Sequence, residues 1–143
     1  MNPTTNDFLA PRDAELILEI LDDIYRHAKY PLGGTWTLDL IRRELGQARA
    51  MGSFLDGRLV GCVIWRQNED FWDITTLGTR PGFEGQGLMS GLLRHISGLR
   101  PPDVELWLEV HQDNAPAVAF YSKLGFKHKA VRKGYYRDGG DAL

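Results

Sequence analysis

The chain has 143 residues, 43% of them hydrophobic and 25% charged, with a formal net charge of −2 at pH 7. That length suits one domain with a real core, and the composition is that of an ordinary globular chain. A charge so near zero gives no electrostatic reason to bind nucleic acid, and no apolar run reaches the ~18 residues that argue for a membrane span. The start, Met1 to Asp7, is polar and lacks the basic and apolar regions of a secretory signal. Cys62 is the only cysteine and stands in an apolar run. It has no internal disulfide partner and reads as a core residue in a reducing compartment. The expectation is a cytoplasmic protein, monomer or homodimer, with no membrane and no nucleic-acid partner.

In chain order, residues 1–10 read as a frayed end. A helix is predicted from Pro11 to His27, with Leu16, Ile17, Ile20, Leu21, Ile24 and Tyr25 at helical spacing on one face. Pro11 suits its first turn, and Asp13 and Glu15 complement its dipole. Tyr30 to Gly34 breaks it. Thr37 is the candidate N-cap of a second helix, Leu38 to Arg49, with Leu38, Ile41 and Leu45 facing inward. The pattern then turns to strands. Gly52–Leu55 and Leu59–Gln67 are joined by Asp56-Gly57, a strong hairpin signal. Phe71–Thr79 is the next strand, and Gly78 inside it marks a bulge or the close approach of a ligand. A glycine-rich turn, Arg80 to Gly87, leads to a helix from Leu88. Strand Val104–Val110, helix Pro116–Leu124 with Gly125 as its C-terminal cap, strand Phe126–Tyr136 and a short last strand at Asp141–Leu143 follow. The pattern is that of an α/β chain: a mixed sheet with helices on both faces, residues 1–143 forming one domain.

The turn before the Leu88 helix carries a chemical implication. The first N–H groups of a helix have no intrahelical partner and hold partial positive charge. Glycines ahead of them let the backbone curl closely around an anion, and a phosphate or pyrophosphate is the natural guest. A P-loop requires Lys-Ser/Thr after its last glycine, whereas Leu88-Met89 stands here; a dinucleotide fingerprint requires glycines at positions one, three and six, whereas Gly85, Gly87 and Gly91 place the third one residue too far. An ordinary surface turn with two glycines stays open on the loop alone.

The downstream residues point further. Leu108, Val110, Asn114, Ala117, Phe120, Tyr121, Gly125 and Phe126, with Pro81, Phe83, Gly85 and Gly87 upstream, resemble the GNAT acyl-CoA N-acyltransferase superfamily over about residues 50–136. Trp107-Leu108-Glu109-Val110 and Val131 to Tyr136 resemble its RimI-type members, which acetylate the N-terminal residue of a ribosomal protein. The resemblance implies the GNAT fold, in which two neighbouring parallel strands of the central mixed sheet splay apart and acyl-CoA lies in the V. It implies acetyl-CoA as cosubstrate, no metal, and direct transfer to a primary amine.

The same resemblance assigns roles. Glu109 is the general base that takes a proton from the incoming ammonium; the alternative is a solvated carboxylate on a strand face. Tyr121 is the general acid for the leaving thiolate; the alternative is a helix aromatic filling the core. Leu77, Gly78 and Thr79 offer backbone groups to the pantetheine arm, as an added strand does, and one N–H there can polarise the thioester carbonyl. Glu84, Gly85, Gln86, Gly87, Leu88 and Met89 hold the pyrophosphate. Asn114 caps its helix and contacts the CoA arm.

Three features depart from the family pattern. Gln or Arg is usual at Glu84 and Gly or Ala at Met89, so Glu84 is expected to point away and lend only its backbone. The last strand is short, so one wall of the acceptor site is expected to be open or completed by a partner. His27, His95, His111 and His128 lack metal-ligand spacing and read as surface or supporting residues. Trp36, Tyr135 and Tyr136 favour a peptide slot. The leading reading is an N-terminal protein acetyltransferase. Acetylation of a small amine (an antibiotic, a polyamine or an amino acid) and a CoA-binding regulatory module without turnover are the rivals.

Overall fold

The computed structural model describes residues 4–26, 36–110 and 113–127. Its first element corrects the reading of residues 1–10 as frayed. Thr5–Leu9 is a strand, β1, paired antiparallel with β2 (Arg49–Leu55) from Thr5↔Phe54 to Leu9↔Ala50. Nothing local announces it, because only Leu9 of the five residues is buried. The ladder is formed with a partner far along the chain, and strand formation follows that context more than intrinsic preference.

A 3₁₀ turn at Pro11–Asp13 leads into α1 (Ala14–Arg26). The Asp13 carboxylate accepts from the Ala10 N–H at 2.8 Å and fixes the entry. Thr37 caps α2 (Leu38–Leu45) as expected, its Oγ1 accepting from Leu40 N–H at 3.2 Å. The helix stops at Leu45, short of the predicted Arg49, because Gly46 closes it and Arg49 already belongs to β2. His27 and the predicted breaker Tyr30–Gly34 lie outside the described residues.

Asp56 and Gly57 both have positive φ, 51° and 79°, the geometry of a two-residue hairpin turn. They join β2 to β3 (Arg58–Gln67), which pairs antiparallel with β4 (Phe71–Thr79). After β4 come α3 (Leu88–Leu99), β5 (Glu105–Trp107) and α4 (Ala115–Lys123). The sheet order is β1-β2-β3-β4-β5, antiparallel up to β4, with β4 and β5 parallel. Among the described residues no helix is long and apolar enough to cross a membrane.

Alternation along β3 sorts the two faces. Cys62 and Ile64 join Ile17, Ile20, Leu21, Ile41 and Leu45 in the core under α1 and α2. Gly61 faces the other way, toward Leu92 of α3. Cys62 is fully buried, and burial pushes its thiol up to about 12. It stays a neutral thiol near pH 7 and packs as a small hydrophobe, as expected.

The chain divides into two compact units. The first is residues 1–27 and 36–108, and it holds every strand named above together with α1, α2 and α3. The second is residues 28–35 and 109–143, and it holds α4. Within the second unit α4 ends as predicted. Gly125 adopts φ 100°, and the N–H groups of Gly125 and Phe126 donate to the carbonyls of Ser122 and Tyr121 at 3.1 and 3.0 Å, a Schellman closure. The strands predicted at Phe126–Tyr136 and Asp141–Leu143 fall almost wholly outside the described residues; Phe126 and Lys127, the two that are described, are not in a strand.

The bulge expected as one reading of Gly78 is a second correction. A Cβ built there would lie 2.6 Å from Cδ1 and 3.1 Å from Cγ2 of Ile24, so the close approach on that face is made by α1. The bulge of β4 lies instead at Thr75: Ile64 pairs with Thr76 and Trp65 with Ile74, so Thr75 is the extra residue, and its hydroxyl donates to the Ile64 carbonyl at 3.4 Å. Gly78→Ala overpacks the α1 contact and should cost about 1–3 kcal/mol in urea unfolding; an unchanged midpoint would mean that Ile24 swings aside freely.

Candidate active site

In the first unit the loop after β4 is built in two steps. Arg80, Pro81, Gly82 and Phe83 form a type II turn, with Pro at the second position and Gly at the third with φ 92°. It is closed by Phe83 N–H donating to the Arg80 carbonyl at 3.0 Å. Gly85 and Gly87 then take left-handed φ values of 76° and 77°, and a Cβ built on either meets nothing within 4 Å. Gly87 is the N-cap of α3, and no side chain caps that helix.

The result is a backbone turn with open space around its glycines, leading to the N–H groups of the first turn of a twelve-residue helix. It is a fitting receptor for a diphosphate. Glu84 is exposed, Leu88 is buried beneath the turn, and Met89 is half-buried.

The same unit carries the strand stretch expected to hold the pantetheine arm. The parallel ladder runs Phe71↔Glu105, Trp72↔Leu106, Asp73↔Trp107, and there it ends, while β4 continues to Thr79. The predicted strand Val104–Val110 is thereby corrected to Glu105–Trp107, since pairing with β4 stops at Asp73. Leu108, Glu109 and Val110 lie beyond β5. Leu77, Gly78 and Thr79 are half-buried on the part of β4 past the β5 ladder.

The second unit contains the other predicted residues. Glu109 is half-buried. Asn114 caps α4, its Oδ1 accepting from Ala117 N–H at 3.3 Å. Tyr121, seven residues on, shares that face of the helix. Its ring meets Phe120 edge-on at 5.4 Å and Phe126 edge-on at 5.8 Å, an arrangement that fixes the ring.

Other candidates resolve differently. His95 is exposed on α3, while His27, His111 and His128 lie outside the described residues. Among the described residues no group of three or more His, Cys, Asp or Glu side chains is disposed to hold a metal. Trp36 packs against the α1–α2 core, and its indole N–H donates to the Tyr25 hydroxyl at 2.9 Å. Burial pushes the Tyr25 phenol up, partly offset by that hydrogen bond. Trp36 is therefore engaged in the core, and Tyr135 and Tyr136, its expected companions in a peptide slot, are outside the described residues.

Two residues at the site escaped the sequence reading. Thr75 makes the bulge. Arg80, at the head of the loop, is only 5% exposed and ion-paired. The available signal was a long cation placed directly before Pro-Gly at a strand end.

Comparison with known proteins gives consistent matches. The model described as "Acetyltransferase (GNAT) family" matches residues 15–126. A Bacillus subtilis protein assigned as a ribosomal protein bS18-alanine N-acetyltransferase is 35% identical over 133 residues, 88% of this chain and 87% of that protein. The N-alpha-acetyltransferase RimI of Mycobacterium tuberculosis is 32% identical over 75% of this chain and 72% of its own length. The crystal structure of the ribosomal-protein-S18-alanine N-acetyltransferase from Escherichia coli superposes with a TM-score of 0.80 at 25% identity, covering 98% of this chain and 90% of that one.

Proposed function

The chain belongs to the GNAT family of acetyltransferases, and from that premise we propose that it transfers acetyl from acetyl-CoA to the α-amine at the N terminus of a protein, residues 1–143 acting as one catalytic domain. The observation that carries the acetyl-CoA part is the left-handed glycine loop, open around its glycines, at the N terminus of α3, which no side chain caps. The α-amine acceptor is supported by the names of relatives, one an N-alpha-acetyltransferase and others ribosomal protein bS18-alanine N-acetyltransferases.

Acetyl-CoA supplies a thioester already activated for attack. The residues of this chain bind, orient and move protons. Backbone N–H groups of the loop and of the first turn of α3 take the diphosphate, at roughly 1.5–3 kcal/mol for each bond to a charged oxygen. Backbone groups of Leu77, Gly78 and Thr79 take the pantetheine arm, and one N–H there polarises the thioester carbonyl. Glu109 removes one proton from the ammonium, the neutral amine nitrogen bonds to the carbonyl carbon, the C–S bond breaks as Tyr121 gives its proton to the sulfur, and the second proton lost by the nitrogen as the amide forms restores the Tyr121 phenol.

Millimolar acetyl-CoA should raise the melting temperature. At 100 times the dissociation constant the gain is ~2.7 kcal/mol, and an unmoved transition would contradict the cosubstrate assignment. Glu84 is exposed, so solvent screens its repulsion of the diphosphate. Glu84→Gln should tighten binding by at most about fivefold, the scale of an exposed charge interaction. A much larger gain would show the native carboxylate aimed at the phosphates.

A further inference from the structure

We propose that Arg80 is the positioning residue of the diphosphate loop, holding the loop in its binding shape without touching the ligand; this rests on the acetyl-CoA reading above. A guanidinium as buried as this one is costly unless paired and hydrogen-bonded. Arg80 meets that need on two elements. Its Nη1 lies 3.0 Å from the Asp23 carboxylate of α1, its Nη2 lies 3.6 Å from Glu19 of the same helix, and its Nε donates to the Leu59 carbonyl of β3 at 3.1 Å. Its main chain is tied as well: the N–H donates to the Val60 carbonyl at 2.8 Å, and the carbonyl accepts from Phe83 N–H at 3.0 Å. One residue therefore locks α1, β3 and the first turn of the loop together.

The charge of Arg80 is already taken up by Asp23, with a small contribution from the exposed Glu19. The loop beyond it contains Gly82, Gly85 and Gly87. Glycines have the most backbone freedom to lose when a ligand orders them. Anchoring the head of the loop reduces that loss before the ligand arrives, and preorganisation of this kind is read as affinity.

The test compares two thioesters in transfer to a peptide copying the N terminus of ribosomal protein bS18. Acetyl-CoA carries the diphosphate; S-acetylpantetheine offers the same thioester without it. Arg80→Gln should raise the KM for acetyl-CoA about tenfold, equivalent to about 1.4 kcal/mol, and leave kcat within about twofold. Its kcat/KM for S-acetylpantetheine should stay within about twofold of wild type, and Arg80→Lys should recover part of the acetyl-CoA affinity. Asp23→Asn, which leaves the arginine in place, should give a smaller change of the same sign and decides the question if Arg80→Gln does not fold. Equal losses on both thioesters, or an unchanged KM for acetyl-CoA, would assign Arg80 to general stability and overturn the proposal. A wild-type protein that uses neither thioester would overturn the transferase reading, and this inference with it.

Discussion

Glu109→Gln should lower the rate of acetyl transfer to a peptide amine by roughly 10²–10⁴-fold near neutral pH, the contribution of a positioned general base. Glutamine keeps the shape of the side chain and removes the proton acceptor. An α-amine titrates near ~8 and arrives at neutral pH largely as ammonium, so the wild-type carboxylate has a proton to remove. As pH rises through that value, more amine arrives already neutral and the base is needed less. The deficit of the variant should therefore shrink from pH 6 toward pH 10. The affinity for acetyl-CoA should barely change, because the carboxylate is assigned to the amine. A purely structural glutamate gives a different result: a lower melting temperature and a rate deficit that does not vary with pH. Parallel pH profiles for wild type and variant would remove Glu109 from the mechanism.

Tyr121→Phe should lower kcat by a similar factor, roughly 10²–10⁴-fold, while acetyl-CoA affinity and melting temperature stay close to wild type. The substitution deletes the hydroxyl and keeps the ring. The edge-on contacts with Phe120 at 5.4 Å and Phe126 at 5.8 Å, which hold the ring in place, are therefore kept. A phenylalanine variant that turns over at the wild-type rate would make Tyr121 a packing aromatic. A variant with normal kcat and reduced stability would do the same.

The parts of this fold that local chemistry specifies were legible in the sequence. Asp56-Gly57 names its own hairpin, Thr37 its own helix start and Gly125 its own helix end, and each stands where it was expected. The glycine loop was legible for the same reason: left-handed φ at Gly85 and Gly87 is a demand that sequence displays directly. Features that depend on distant partners were not visible. β1 exists because β2 offers it a ladder, and its own five residues bury only Leu9. β5 is cut to three residues because its pairing with β4 ends at Asp73, a limit set between strands and written in neither. A single inserted residue at Thr75 leaves the apolar pattern of β4 looking regular. Nothing next to Arg80 in the sequence names its partner; α1, far earlier in the chain, brings Asp23 to it. Gly78 was marked for a bulge or a ligand, whereas a Cβ there would meet Ile24, a neighbour from α1 that local sequence does not name.

The proposed reaction is transfer of acetyl from acetyl-CoA to a protein α-amine. Its most direct test is to incubate the purified chain with acetyl-CoA and a peptide copying the N terminus of ribosomal protein bS18, then locate the added group by fragmentation mass spectrometry. One acetyl group is expected on the nitrogen of the first residue, and no product from the same peptide with that nitrogen blocked. Acetyl groups found only on lysine side chains, or no peptide product alongside ready acetylation of a small polyamine, would contradict it.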